Sequence, residues 1–81
     1  MITLLYFAAL RDLMGSAQES VELPPHVRDV RGLAAWLEGA RPALQGRLGS
    51  VRFAVDETFA GPDEVIRAGA VVALIPPVAG G

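Results

Sequence analysis

The sequence predicts an α+β domain in which a mixed sheet of four to five strands wraps one main helix. Three observations lead there. β-branched and aromatic runs lie near both ends of the chain, one internal stretch carries helical spacing of apolar residues, and proline and glycine punctuate the segments between them. With 81 residues, the chain is expected to form a single domain over 1–81, near the size at which one core only just outweighs conformational entropy.

Residues 2–7 are short, rich in β-branched and aromatic side chains and broken only by Thr3, so they read as a strand. The period of two puts Ile2, Leu4 and Tyr6 on one face and Thr3, Leu5 and Phe7 on the other. Residues 8–14 have the composition of a short helix, with Gly15 placed for a left-handed cap. Residues 19–23 alternate polar and apolar, as a strand with one wet face does, until Pro24-Pro25 stops them, and an antiparallel pairing with the first strand follows. Asp29 suits an N-cap, and Val30, Leu33, Ala34 and Leu37 recur at i, i+3, i+4 and i+7, which defines the principal helix. Gly32 weakens it slightly, and Arg41-Pro42 ends it near Ala40, because proline disfavours helical geometry in the residue before it.

Residues 43–50 read as a loop or a single turn. Val51, Phe53 and Val55 alternate with Arg52, Ala54 and Asp56, giving a third strand with one buried face, and residues 58–60 form a short fourth. Gly61-Pro62-Asp63 and Arg67-Ala68-Gly69 are turns, and residues 71–75 form the last strand. The first and last strands are the most continuously apolar, as central strands are, so they belong side by side. One helix covers one face of such a sheet. Leu5, Phe7, Ala54, Ala73 and Ile75 then fall on an open apolar face that suits a protein partner, unless residues 8–14 and 43–50 fold over part of it.

Composition narrows the chemistry. Hydrophobic residues make up 52% of the chain and charged ones 20%, a globular balance, and the net charge of -2 gives no basic footprint for nucleic acid. There is no cysteine, so neither a disulfide framework nor a thiolate is available. All seven basic residues are arginine, which leaves the Met1 amine as the sole amine. The apolar start has no positive flank and is interrupted by Arg11-Asp12 too early for a membrane span, so a cytoplasmic protein is expected.

Catalytic residues are scarce. His26 follows two prolines in a turn and reads as a solvated histidine, with no second histidine for a metal. Asp56-Glu57 and Asp63-Glu64 read as turn formers whose carboxylates point apart, and Trp36 as a core or rim anchor. Gly46 and Gly49 lack the Lys-Ser/Thr of a phosphate-binding loop. No metal and no bound cofactor are expected.

The chain ends Pro76-Pro77-Val78-Ala79-Gly80-Gly81. The prolines fix φ and stiffen the root, while the glycines leave the tip pliant and free of Cβ atoms, so a narrow active site can admit it. Six extended residues reach at most about 20 Å. The Gly81 carboxylate is therefore the candidate reactive group, inert until a partner activates it with ATP.

Nearly the whole chain resembles the small subunit of molybdopterin synthase, a ubiquitin-like sulfur carrier. The resemblance is carried by Ile2-Thr3-Leu4-Leu5-Tyr6-Phe7-Ala8, by Leu10-Arg11-Asp12-Leu13-Met14-Gly15 and by the ending from Val72 to Gly81, in which the Pro-Pro-Val-x-Gly-Gly pattern is the specific part. It implies a β-grasp fold with parallel first and last strands at the sheet centre. It also implies that an ATP-dependent adenylyltransferase activates Gly81, that sulfur replaces the adenylate to give a thiocarboxylate, and that the tail enters the large catalytic subunit to donate sulfur to a pterin precursor. By position, Phe59 and Ile75 match apolar partner contacts of the family and Arg11 a basic position facing the activating enzyme; Phe7, on the open face by alternation, is a further partner-binding candidate. Gly80 gives clearance, and neither glycine is expected to tolerate a side chain. Two departures fall in turns: Gly69-Ala70 stands where the family often has Gly-Asp, and Asp56 where it often has Asn. A sulfur carrier for thiamine thiazole synthesis, a ubiquitin-like protein modifier and a plain interaction module are the alternative readings.

Overall fold

Two parallel strands form the centre of the sheet: β1 (Ile2–Tyr6) pairs with β5 (Val71–Ile75), Leu4 opposite Val72 and Tyr6 opposite Leu74. The computed structural model describes residues 1–77; Val78, Ala79, Gly80 and Gly81 lie outside the described residues. β2 (Gln18–Val21) lies antiparallel to β1, β3 (Arg52–Val55) antiparallel to β5, and β4 (Thr58–Ala60) antiparallel to β3. The order is β2-β1-β5-β3-β4, a mixed five-stranded β-grasp sheet.

α1 (Ala8–Met14) follows β1 directly and ends at Gly15, whose φ of 72° provides the left-handed cap and lets its N–H donate to the Arg11 carbonyl. Phe7 is the N-cap of this helix, so the first strand stops at Tyr6, one residue short of expectation. β2 also differs from the expected 19–23. Its pairing runs out where Ile2 meets Val21, and Leu23 has no strand residue to face. α2 (Val30–Ala40) starts at Asp29, whose Oδ1 accepts the Gly32 N–H at 2.8 Å, and ends before Pro42.

α2 buries Val30, Leu33 and Leu37 against Leu4, Tyr6, Val72 and Leu74, which the strands' period of two aims at the same side. Residues 43–50 are more than a loop. Two 3-10 turns, Pro42–Leu44 and Leu48–Ser50, insert Leu44 and Leu48 into this core. Leu10 of α1 joins the same cluster, so both short segments close the α2 side and leave the opposite face open. In β3, Phe53 is buried as expected, whereas Val51 and Val55 are half-buried. Ala54 is also buried although it points to the other face, because its small side chain sits between Ala73 and Phe59.

One polar cluster edges the core. The buried Tyr6 hydroxyl donates to Glu19 Oε2 at 2.8 Å, Arg41 Nη2 donates to Glu19 Oε1 at 2.5 Å, and the Arg41 guanidinium lies 5.8 Å from the centre of the Trp36 ring. The hydrogen bond from Arg41 holds the Glu19 carboxyl below its usual range, and burial, followed by the Glu19 carboxylate, pushes the Tyr6 phenol well up.

Candidate functional site

The uncovered sheet face is a shallow groove of about 290 Å³ running along β5. Alternation brings Leu5 of β1, Ala54 of β3, and Ala73 and Ile75 of β5 onto it, with Phe7 at one side and Phe59 at the other. Phe59 is 58% exposed and Phe7 44%, so two partly exposed aromatic rings flank an apolar floor. Of the site residues expected from sequence, Phe7, Phe59 and Ile75 meet here. Arg11 is exposed on α1 and does not line the groove. Pro76 and Pro77 continue β5 past Ile75 beside a second concavity lined by Leu13, Asp12 and Ser50. Val78, Ala79, Gly80 and Gly81 fall outside the described residues.

The β3–β4 connection is a two-residue hairpin at Asp56-Glu57, and both residues have positive φ, 49° and 72°. This is the type I′ geometry that matches strand twist and that Asn-Gly usually supplies. Asp56 is tied down: its N–H donates to the Val71 carbonyl at 2.8 Å, and its Oδ1 accepts the Val71 N–H at 2.9 Å. Asp tolerates left-handed backbone because its short side chain bonds locally, so it serves where the resemblance leads one to expect Asn. Glu57 lines the groove at this end.

Arg52 is placed on the third strand by the sequence but is assigned no functional role there. It faces Ile75 across β3 and β5, and its guanidinium lies over the Phe59 ring at 4.4 Å. The signal was available in its alternation with Ala54. His26 is exposed in its turn, and Asp63 pairs with Arg31 at 3.1 Å on the surface. No group of three His, Asp or Glu that could hold a metal occurs among the described residues, and no helix there is long and apolar enough to cross a membrane.

A mixed sheet with parallel central strands, one long helix on one side and an open apolar face on the other defines a ubiquitin-like β-grasp protein. The ThiS family profile matches residues 4–81, and the chain belongs to that family. It is 34% identical to a molybdopterin synthase sulfur carrier subunit of Chlamydomonas reinhardtii over 99% of this chain and 98% of that one. Among solved structures it is similar to SAMP1 of Haloferax volcanii, a small archaeal modifier protein, with a TM-score of 0.82 and 28% identity over 99% of this chain and 98% of that one. It is also similar to a putative molybdopterin converting factor subunit 1 of Pyrococcus furiosus, with a TM-score of 0.80 and 29% identity over 95% of this chain and 97% of that one.

Proposed function

We propose that this protein is the sulfur carrier subunit of a cytoplasmic molybdopterin synthase and that its Gly81 carboxylate is the group that carries sulfur. The observation that supports this most is the near-full-length relation to the algal sulfur carrier subunit, which covers 99% of this chain. The Pro76-Pro77 and Gly80-Gly81 ending agrees with it.

The chemistry is divided between the tail and its partners. On the activating enzyme, a Gly81 carboxylate oxygen attacks the α-phosphate of ATP and pyrophosphate leaves. Sulfide-level sulfur from a donor then attacks the acyl-adenylate carbonyl and AMP leaves, giving a thiocarboxylate, which is soft, ionised and nucleophilic. The loaded tail enters the large catalytic subunit and gives its sulfur to a pterin precursor, and water supplies the oxygen that restores the carboxylate. ATP belongs to the activating partner, and this chain binds no cofactor of its own. The open face with Phe7, Phe59 and Ile75 serves partner docking, and Arg11 faces the activating enzyme.

Intact-mass measurement tests the reading. Co-produced with its activating enzyme and a sulfur donor, the full chain gains the mass difference between sulfur and oxygen, and a chain lacking Gly81 folds normally and gains nothing. A full-length protein that never gains this mass overturns the proposal. The likeness to SAMP1 favours one second reading, a modifier that forms isopeptides through Gly81. Gly81-linked conjugates in a lysate are its signature, and with no lysine in this chain it cannot build lysine-linked polymers on itself.

A further inference from the structure

We infer that the open face carries an electrostatic register, Arg52 at the tail end and Glu57 at the hairpin end, that fixes the direction in which the tail-accepting large subunit docks. The inference rests on the synthase reading above. It deepens that reading by naming the chemistry of the partner surface: an apolar ridge with a carboxylate where it meets Arg52 and a basic side chain where it meets Glu57.

Two independent observations point there. Arg52 sits opposite Ile75, one residue from the start of the tail; it does not line the groove itself, but its guanidinium lies 4.4 Å from the centre of the Phe59 ring, which does. Among the described residues no carboxylate lies within ion-pair distance of it. A cation stacked on a ring of the groove, with no carboxylate partner among the described residues, is complementary to an anion on whatever covers that groove. At the other end, Glu57 occupies a left-handed position, φ 72°, that glycine fills without strain. The side chain gained by this costlier choice is a carboxylate on the groove lining. β3 runs antiparallel to β5, so the two charges stand at opposite ends of the β5 groove, positive toward Ile75 and negative toward Val71. A partner with the reverse pattern binds one way round and meets like charges the other way.

The test is calorimetric titration of the full-length carrier with the large synthase subunit of the same organism, using R52E, E57K and E57G, with thermal unfolding of each carrier alongside. R52E and E57K each weaken binding about tenfold at low salt, and added salt narrows the gap. E57G raises the unfolding midpoint, because it relieves the left-handed strain, yet it also weakens binding; a merely structural Glu57 does not combine these two effects. Binding within about twofold of the unsubstituted chain for all three variants overturns the register and leaves the synthase reading standing. Failure of the unsubstituted chain to bind overturns the synthase reading and the register with it.

Discussion

Replacing Glu19 with alanine removes a carboxylate that two other groups depend on, and the loss should be large for a residue on an edge strand. Tyr6 is 2% exposed, and its hydroxyl donates to Glu19 at 2.8 Å. Stranding a buried hydroxyl costs about 1–3 kcal/mol. Arg41 meets the other carboxylate oxygen with both side chains about two-thirds or more shielded, at 31% and 26% exposure. A charge-assisted bond so placed contributes about 1 kcal/mol, at the upper end of exposed pairs. Glu19→Ala is therefore expected to cost about 3 kcal/mol, which in a domain of this size lowers the midpoint by roughly 15 °C.

Denaturant unfolding of Glu19→Ala, Tyr6→Phe and the double variant separates the contributions. Tyr6→Phe alone costs about 1 kcal/mol, and Glu19→Ala costs less in that background because no hydroxyl is stranded. Glu19→Gln keeps an acceptor for Tyr6 and removes only the charge. Because Arg41 lowers the folded carboxyl's pKa, the charge stabilises fully above the unfolded glutamate range and progressively less as pH falls through the folded value. The advantage over Gln should thus be present at neutral pH and shrink below about pH 4. A Glu19→Ala cost below about 0.5 kcal/mol, or strict additivity with Tyr6→Phe, refutes the coupled cluster.

Three further outcomes follow from single contacts. Asp29→Ala removes the side-chain cap on the Gly32 N–H and should cost about 1 kcal/mol in denaturant unfolding. Leu37→Ala empties a fully buried position beneath α2 and should cost about 3 kcal/mol by the same measurement. Phe59→Ser, at a ring 58% exposed, should leave the midpoint within a few degrees while weakening capture of the large subunit in a pull-down from purified components.

The sheet and its open face were legible because a period of two and a single long amphipathic helix leave few arrangements. Ile2, Leu4 and Tyr6 alternate into the core, one helix covers one side, and the parity of Leu5, Ala73 and Ile75 does the rest. The pairing of the first strand with the second and the last was legible too, but the long-range polar contacts were not. Glu19 received no role from the sequence, although its parity with Val21 and its register opposite Leu4 turn it toward the core side, where it meets Tyr6 and Arg41. Arg41 reads only as the end of a helix. Residues 43–50 look like a loop because Pro42, Gly46 and Gly49 mask the four-residue spacing of Leu44 and Leu48, and tertiary packing gives those turns their purpose. Arg52 was visible by alternation, but its significance depends on Phe59 arriving from the next strand.

The hairpin, the groove and the tail root form one mechanical unit. Asp56 bonds both backbone polar groups of Val71, which fixes the start of β5 to the β3–β4 turn that carries Glu57. β5 then runs between its two neighbours for five residues, about 13 Å in extended geometry from Val71 to Ile75, and ends beside Arg52. A partner that grips the face by its two charges and its apolar floor therefore also sets where Pro76 begins. From Ile75, six residues reach at most about 20 Å, so the reacting centre must lie within that distance of the docked edge. A partner bound in the reverse sense would face β5 from its Val71 end, with the start of the tail on the wrong side of the contact. On the proposed reading, orientation and reach are coupled through a single strand, which is how charges at the ends of the groove would act on a carboxylate several residues beyond it.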